Sequence, residues 1–419
     1  MLKIFTTKAE FFDHLEQSNN IKKVNVFQII ESIKKDGDNS LIRLTEQYDK
    51  VKISKFRVPD EIIKSSYESH NGDFDLFHGA INNIQKFHKN QTPKNFLITQ
   101  KDGTKVEWNW RPINRIGAYV PGGNYPLISS LFMNVIPAQI AGVQEIVVCT
   151  PPTKDGLPDK TILAACNLLQ IKEIYTIGGA QAIAALAIGT ESIKKVNKIV
   201  GPGNSYVSAA KHALSSKVGI DMNAGPTEIV VLADSKANPS YIASDLISQA
   251  EHDTDAKAIL ITDSLNLVNE VKNNLRIQIK LLATSKIVET SLKNNGLAFV
   301  AKDLNNCIHV SNEIAPEHLS LQAESAENLR DKVIAGSIFM GSKTPVAWGD
   351  YWAGPNHTLP TNGQAKFRGP LNVVDFLVPF SVVDASNSIR KSGEKVKKFA
   401  NLEGLSGHAK SIEIRLEDE

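Results

Sequence analysis

Apolar residues recur at two different spacings along the chain, and the spacing changes near residue 105. Up to about residue 95 they recur every three or four positions, with Lys, Asp and Glu between them, which predicts helices. From Lys105 onward, short apolar runs alternate with stretches of helical period. Strands that alternate with helices in this way indicate parallel sheets that are covered on both faces.

The predicted elements form two successive series. The first series has strands at 105–110, 115–120, 145–150, 173–177, 198–200 and 228–232, and helices at 131–142, 159–169, 180–189 and 205–215. The second series has helices at 239–251 and 264–280, and strands at 258–261, 298–300 and 336–340. From about Leu371 the pattern is helical again. We predict an α/β protein with two doubly wound, incomplete Rossmann-like parallel-sheet domains and small helical segments at both ends.

Composition and charge exclude several classes of protein. The 419 residues suffice for two sizeable cores, and a net charge of +2 offers no patch for nucleic acid or an anionic membrane. The three cysteines fit neither a disulfide framework nor a thiolate zinc site. The first residues lack the apolar core of a signal peptide, and no apolar run approaches bilayer length. We expect a cytoplasmic protein without nucleic-acid or membrane partners.

Three glycine-containing turns follow predicted strands: Pro121-Gly122-Gly123, Gly178-Gly179-Ala180-Gln181 and Gly201-Pro202-Gly203-Asn204. Backbone N–H groups at such a turn, together with a helix N-terminus, can face a phosphate. None of the three matches the full dinucleotide fingerprint, so each alone is also explained by tight packing. The three together favour a ligand crevice at the carboxyl ends of the strands.

Side chains suited to a divalent metal are spread along the second half of the chain. Gln249 and His252 lie three residues apart on a predicted helix and project from the same side, although a solvated helix end would also explain them. Asp350 shares a Gly- and Pro-rich loop with His357, and His408 lies near the C-terminus. Gln249, His252, Asp350 and His408 together form a nitrogen and oxygen donor set that suits zinc.

The adjacent residues Glu317 and His318 indicate proton-transfer chemistry. They follow Pro316 and precede an apolar, strand-like segment, which would fix their direction at a sheet edge. The imidazole can take a proton from a substrate while the carboxylate activates water. Adjacent Glu-His pairs also occur by chance on protein surfaces.

These motifs, in this order and spacing, resemble the histidinol dehydrogenase family over nearly the whole chain. The resemblance rests on Val120-Pro121-Gly122-Gly123, Gly178-Gly179-Ala180-Gln181-Ala182-Ile183-Ala184-Ala185-Leu186, Gly201-Pro202-Gly203-Asn204, Ser248-Gln249-Ala250-Glu251-His252, Pro316-Glu317-His318 and Asn356-His357-Thr358-Leu359-Pro360. Members usually have serine where this chain has Thr227, and the hydroxyl group is retained.

The resemblance implies a role for each candidate residue. It implies one zinc ion per subunit, held by Gln249, His252, Asp350 and His408. Glu317 and His318 are implied as the catalytic acid–base pair. The implied NAD contacts are Tyr119, Gln181 and Asn204. The implied substrate contacts are Thr227, Gln249, His252, His318, Asp350, His357, Glu403 and His408.

The expected organisation divides the chain into four parts. Residues 1–20 form an N-terminal helical segment, and 21–117 with 236–370 form a first α/β domain that carries the metal and catalytic residues. Residues 118–235 form a second α/β domain on the NAD side, and 371–419 form a C-terminal helical tail. The resemblance implies an interlocked homodimer in which this tail completes the partner's active site, so that Glu403 and His408 would act across the interface.

The implied reaction is two successive NAD-dependent oxidations, of L-histidinol to L-histidinal and then to L-histidine, the final steps of histidine biosynthesis. One alternative is a paralogous zinc and NAD dehydrogenase that oxidises another alcohol, such as a sulfonated diol. More distant alternatives are a zinc hydrolase, in which Glu317 activates a metal-bound water, and a non-catalytic nucleotide-binding protein. A covalent route through a cysteine is disfavoured, because Cys149 and Cys166 lie in apolar runs and Cys307 has no neighbouring base.

Overall fold

The computed structural model describes residues 1–18, 24–69, 72, 74–122 and 126–417. Its strands are β1 (Lys3–Phe5), β2 (Phe96–Thr99), β3 (Lys105–Pro112), β4 (Arg115–Tyr119), β5 (Glu145–Thr150), β6 (Glu173–Thr176), β7 (Lys198–Val200), β8 (Gly219–Ile220), β9 (Glu228–Ala233), β10 (Lys257–Thr262), β11 (Gly296–Val300), β12 (His318–Gln322), β13 (Ser337–Met340) and β14 (Leu377–Asp384). Most strands between residues 115 and 340 coincide with predicted ones.

Helices alternate with these strands. They are α1 (Lys8–Ser18), α2 (Phe27–Asp49), α3 (Asp60–Glu68), α4 (Phe74–His88), α5 (Ile128–Ala141), α6 (Lys160–Leu168), α7 (Gly179–Ile188), α8 (Ser205–Leu214), α9 (Pro239–Ala250), α10 (Leu265–Gln278), α11 (Ser285–Asn295), α12 (Leu304–Ile314), α13 (Ala326–Leu329), α14 (Val346–Tyr351), α15 (Ile389–Leu402) and α16 (Ser406–Glu417). Within the described ranges, none of them combines the length and the apolar character that crossing a membrane requires.

A six-stranded parallel sheet has the order β1-β11-β10-β9-β12-β13. Alternate side chains of its central strand β9 enter different cores, because successive residues of a strand point to opposite faces. Ile229 and Val231 pack with α9, α10 and α11, whereas Val230 and Leu232 pack with α1 and α12. The sheet is therefore covered on both faces, as its unbroken apolar run predicts.

A five-stranded parallel sheet has the order β6-β5-β4-β7-β8. Ile116 and Ala118 of β4 face a core that α5 and α6 complete, whereas Val147 and Cys149 of β5 face the core that contains α2, α7 and α8. Two parallel sheets with helices on both faces confirm the predicted α/β fold.

Two strands lie in regions for which the pattern predicted helices. Strand β14 lies in the region predicted as a helical tail from Leu371, so that prediction is wrong for 377–384. It pairs antiparallel with β3, which in turn pairs antiparallel with β2, and the three strands form a separate ribbon. Strand β1 lies in the predicted N-terminal helical segment and pairs with β11 at the edge of the six-stranded sheet. Both strands depend on partners that are distant in sequence, so local periodicity does not mark them.

Helices α2, α3 and α4 contribute to the cores of the five-stranded sheet, for example through Ile30, Ile63 and Ile81. Helix α4 also contacts the segment after α14, since Asn83 donates to the carbonyl of Trp352 at 2.9 Å. Strand β9 lies inside the six-stranded sheet. The amphipathic pattern of a helix shows that one face is buried but not which sheet covers it. The division into four parts stays a prediction.

A buried ion pair holds the turn between β7 and α8. Lys211 contacts the carboxylate of Asp221, and the two residues are 3% and 4% exposed. The Lys211 ammonium donates to the carbonyl of Gly201 at 2.9 Å, and Asp221 accepts the backbone N–H of Gly201 at 2.8 Å. Gly201 has a φ of 114°, and a Cβ there would collide with the carbonyl oxygen of Tyr119. The ion pair therefore fixes a turn that only glycine can form.

We predict that Lys211→Met lowers the free energy of unfolding by about 3–5 kcal/mol, because it leaves a buried carboxylate without its cation. Denaturant-induced unfolding measures this loss. The double variant Lys211→Met, Asp221→Asn removes both charges and should be more stable than Lys211→Met alone. A double variant that is less stable than Lys211→Met would contradict this account.

A second buried charge joins α9 to β12. Asp245 is 5% exposed, and its Oδ2 accepts hydrogen bonds from Ser320 Oγ at 3.0 Å and Gln322 Nε2 at 2.8 Å. Burial raises the pKa of Asp245 to about 6, although both hydrogen bonds act in the opposite direction. His318, Ser320 and Gln322 alternate along β12 and so share one face. Asp245 therefore ties the helix that carries Gln249 to the strand that begins with His318.

We predict that the free energy of unfolding of Asp245→Asn, relative to that of the unaltered chain, increases as the pH rises from about 4 to about 6. The folded chain binds more protons than the unfolded chain in this window, so ionisation of Asp245 lowers the stability of the unaltered chain as the pH rises. Asparagine cannot ionise, and the difference should change by up to about 3 kcal/mol. Unfolding in urea at several pH values measures it.

Ser291→Ala is the control for this measurement, because Ser291 is fully buried and donates to the carbonyl of Ala256 at 2.9 Å. Its stability loss should not vary over the same pH window. A difference between Asp245→Asn and the unaltered chain that is constant with pH would contradict a raised pKa of Asp245.

Candidate active site

The predicted catalytic pair lies at the amino edge of the six-stranded sheet. His318 is the first residue of β12 and pairs with Ile229 of β9. Neighbouring parallel strands begin at the same edge of a sheet, so the start of β12 lies beside the start of β9. Helix α9 packs against β9 and β10 and connects them, and it runs back toward this edge. Its last turn therefore brings Gln249 to the same place as Glu317 and His318.

Glu317 is 7% exposed and has two hydrogen-bond donors. Its Oε2 accepts from Thr227 Oγ1 at 2.6 Å and from the backbone N–H of Glu228 at 2.8 Å. Burial, with a smaller contribution from the charges of Glu228 and Asp350, raises the pKa of Glu317 to about 8, although the two hydrogen bonds act in the opposite direction. A carboxyl group with a pKa near neutrality can both give and take a proton, as a general acid or base must.

His318 is held as a neutral imidazole with one free nitrogen. Its Nδ1 lies 3.2 Å from the carbonyl oxygen of Glu228, which assigns the ring proton to Nδ1. Burial lowers the pKa of His318, and the neighbouring Asp350 raises it in part. Within the described residues, the buried Nε2 has no hydrogen-bond partner, and it lies 4.0 Å from Asp350 Oδ1. An unprotonated Nε2 in this position can accept a proton.

Asp350 and His357 lie on the far side of His318. Asp350 is on α14, and its Oδ1 is 3.7 Å from His357 Nδ1. Burial raises the pKa of Asp350, whereas His318 and His252 lower it. Burial also lowers the pKa of His357 to about 4, as do the charges of His318 and His252. The site therefore holds several groups whose pKa values are displaced toward their neutral forms.

Three of the four predicted metal ligands lie around this site. Gln249 Nε2 donates to Thr227 Oγ1 at 2.6 Å, which leaves the amide oxygen as the available donor atom. His252 is exposed, and its charge acts on His318, Asp350 and His357, which places it among them. An amide oxygen, an imidazole and a carboxylate are donors that zinc accepts. The described residues of one chain contain no group of three or more His, Cys, Asp or Glu arranged to hold a metal.

The two predicted tail residues lie elsewhere. Glu403 directly follows α15, His408 is in the first turn of α16, and both are exposed. None of the contacts found among the described residues joins either side chain to Glu317, His318 or Asp350. A single chain therefore brings together Thr227, Gln249, His252, Asp350, Glu317, His318 and His357, but not Glu403 and His408.

The predicted NAD contacts lie at turns of the five-stranded sheet. Tyr119 is 5% exposed, and its hydroxyl accepts the backbone N–H of Gly179 at 3.1 Å. Gln181 lies in the first turn of α7, and its Nε2 is 3.5 Å from Asp49 Oδ2. Asn204 caps α8 with its side-chain oxygen, which accepts two backbone N–H groups. Residues 123–125 of the first glycine turn lie outside the described residues.

Sequence reasoning missed three residues that touch these sites. The backbone of Glu228 contacts both Glu317 and His318, and a backbone contact leaves no signal in the residue type. Ser130 Oγ lies 3.5 Å from His357 Nε2, but a serine in an apolar helix is unremarkable by pattern. Asp49 ends α2 beside Gln181, and its position at the last residue of a helix was a signal that could have marked it.

Comparison with known proteins identifies the family. A model of the histidinol dehydrogenase family matches residues 13–416. The histidinol dehydrogenase of Halalkalibacterium halodurans is 45% identical over 97% of this chain and 96% of that protein. That of Listeria monocytogenes is 44% identical over 100% of both chains. A crystal structure of histidinol dehydrogenase from Elizabethkingia anophelis matches with a TM-score of 0.92 and 36% identity, over 100% of this chain and 98% of the other. The chain belongs to the histidinol dehydrogenase family.

Proposed function

We propose that this chain oxidises L-histidinol to L-histidinal and then to L-histidine, reduces two NAD, and so catalyses the final steps of histidine biosynthesis. The observation that carries the proposal is the buried pair at the start of β12: a Glu317 carboxyl group with a raised pKa beside a His318 with a free Nε2. Membership of the family and identity of about 45% to a curated histidinol dehydrogenase support this substrate over another alcohol and over a hydrolase.

One zinc ion per subunit would be held by the Gln249 amide oxygen, His252, Asp350 and the His408 of a second copy of this chain. When bound, the ion would orient the amino alcohol and stabilise negative charge on its oxygen. The hydrogen bond from Gln249 to Thr227 orients the amide so that its oxygen remains free to bind the ion. If the ion is needed, a chelator should abolish the activity, and this measurement tests the proposed zinc site.

The chain's own residues account for the proton transfers. In the first oxidation, His318 Nε2 takes the hydroxyl proton while the carbon gives its hydride to NAD. Glu317 then takes a proton from the water that adds to the aldehyde, and Thr227 holds Glu317 in place for this step. As the water adds, His318 returns its proton to the aldehyde oxygen, which leaves Nε2 free again. In the second oxidation, His318 takes a hydroxyl proton from the aldehyde hydrate while the carbon gives its hydride to a second NAD. Each oxidation therefore removes one hydride, which carries two electrons, and one proton from the substrate.

The cysteines do not support a covalent route. All three are free and buried, which also fits the reducing cytoplasm that we propose for the protein. Burial raises the pKa of Cys307 to about 12 and also raises the pKa values of Cys149 and Cys166. The thiolate is the nucleophilic form, and these environments suppress it.

We predict that Glu317→Gln and His318→Asn affect different steps. His318→Asn should lower both oxidations about a hundredfold to ten-thousandfold, because it removes the proton acceptor. Glu317→Gln should retain NADH formation from histidinol but lower histidine formation from histidinal by a similar factor. NADH absorbance and product analysis measure the two steps separately.

The exposed residues His212 and Glu313 provide matched controls. His212→Asn and Glu313→Gln make the same chemical changes away from the site and should leave both rates unchanged. Equal loss of the two steps in Glu317→Gln would contradict the assignment of water activation to Glu317. Failure of the unaltered chain to form NADH from histidinol would contradict the proposed function.

We further propose that two copies interlock and that the tail of each completes the site of the other. The ribbon of β2, β3 and β14 is uncovered on both faces in one chain, since the successive residues Leu97 and Ile98 are 56% and 50% exposed. The exposed apolar side chains on β2, β14 and α15 are Phe96, Leu97, Ile98, Val378, Phe380, Val382, Val383, Val396, Phe399 and Leu402. An apolar surface of this extent indicates a protein partner, and a second copy would supply Glu403 and His408 to the site.

Mixing two inactive variants tests this arrangement. Co-expressed His318→Asn and His408→Ala chains should yield about a quarter of the unaltered activity if the tail acts on the partner. Half of the dimers would then be mixed, and one of the two sites in each mixed dimer would be intact. If His408 acted within its own chain, every site would carry one defect, and an inactive mixture would contradict the shared site. Each variant expressed alone provides the baseline.

A further inference from the structure

Three features of the fold disfavour a negative charge on Asp49. It is the last residue of α2, and the C-terminal end of a helix carries a partial negative charge. It is partly buried, and burial raises its pKa to about 6. No Lys, Arg or His among the described residues forms a salt bridge with it. A charge that costs stability and has no partner of opposite sign in the fold indicates a role in binding.

The carboxylate faces the glycine turn that leads from β6 into α7. Asp49 Oδ2 is 3.5 Å from Gln181 Nε2, and Oδ1 would be 3.4 Å from a Cβ placed on Gly178. The Tyr119 hydroxyl lies at the same turn, where it accepts the N–H of Gly179. The hydroxyl proton of the buried Tyr119 has no acceptor among the residues that the structure describes. One turn therefore presents both a carboxylate acceptor and an unused hydroxyl donor.

The negative charge of Asp49 favours hydroxyl groups over a phosphate at this turn. The N-terminus of α7 would attract an anion, but the Asp49 carboxylate repels a phosphate at the same place. Neighbouring hydroxyl groups fit better, because they can donate to the carboxylate and accept from Tyr119. In dinucleotide-binding folds an acidic residue that binds the ribose 2′-hydroxyl favours NAD, whereas NADP needs a site for its 2′-phosphate.

NAD contains two riboses, and the strand order indicates that the one beside Asp49 belongs to the adenosine half. Strand β6 is the outermost strand on one side of the five-stranded sheet, and β8 is the outermost on the other. Helix α5 follows β4 and carries Ser130, whose Oγ lies 3.5 Å from His357 Nε2 in the candidate active site. Two strand spacings, or about 10 Å, separate β4 from β6. The turn beside Asp49 is thus farther from the candidate active site than the turn after β4, and the adenosine half of the cofactor belongs at this more distant turn.

We propose that Asp49 binds the hydroxyl groups of the adenosine ribose of NAD and excludes the 2′-phosphate of NADP, a role that rests on the proposed NAD-dependent function. Tyr119 and Gln181 complete the same subsite. Asp49 is then a residue that determines cofactor specificity.

Binding without turnover tests this role. Isothermal titration of the full-length protein with NAD and with NADP should show that the unaltered chain prefers NAD. Asp49→Asn and Asp49→Ser should weaken NAD binding about tenfold, through the loss of a charged hydrogen-bond acceptor, and leave NADP binding unchanged or stronger. Thermal unfolding without cofactor should show a higher Tm for Asp49→Asn, since the variant removes an opposed charge. A residue with only a structural role would not couple a higher Tm to weaker NAD binding.

Glu46→Gln is the matched control, because Glu46 is an exposed acid on the same helix. It should change neither affinity. An unchanged ratio of NAD to NADP affinity in both Asp49 variants, with NAD still bound by the unaltered chain, would overturn the assignment of Asp49 alone. The same holds if both affinities fall together. Absence of NAD binding by the unaltered chain would overturn the proposed function as well.

Discussion

The hydrogen bonds that run from Gln249 through Thr227 to Glu317 are the constraint on which the site depends. They join the last turn of α9, the start of β9 and the start of β12. The same bonds fix the Gln249 amide with its nitrogen engaged and its oxygen available, and they hold Glu317 beside His318. Because all three elements meet at one edge of a parallel sheet, the fold sets these positions without a ligand. Substrate binding at the proposed site would then need little reorganisation of this edge, which would favour rapid chemistry.

Burying a charged group costs desolvation free energy, and this protein compensates for that cost by different interactions at different positions. Lys211 and Asp221 neutralise one another, and their pairing fixes a glycine turn. Asp245 has only neutral hydrogen-bond donors, Ser320 and Gln322, and its pKa is still raised. Glu317 also has only neutral donors, and its pKa is raised further. Two incompletely compensated carboxyl groups, Glu317 and Asp49, lie at the candidate sites, where we propose that a proton or a ligand supplies what the fold does not.

Local pattern predicted the α/β fold because buried parallel strands are continuous apolar runs, as in 228–233 and 257–262. It failed for β1 and β14, whose strand state depends on pairing with distant partners. The residues of the candidate site were visible as motifs because their side chains carry the chemistry. Ser130 and the backbone of Glu228 were not visible, since proximity alone gives them a role. Asp49 was marked only by its position at the last residue of a helix. The roles of Glu403 and His408 stay predictions, because a contact with a second chain would leave no trace in the periodicity of one chain.

The proposed association of two chains would account both for the exposed tail and for the distance of His408 from the other proposed ligands. A single chain leaves Phe399 and Leu402 of α15 64% and 78% exposed. It brings Gln249, His252 and Asp350 together, but not His408. Burying the apolar face of α15 against a second copy would release free energy in proportion to the area covered. The same contact would carry His408, which lies just beyond α15, toward the partner's site. Association would then complete the site, so that an isolated chain would lack both a covered surface and the full set of metal donors.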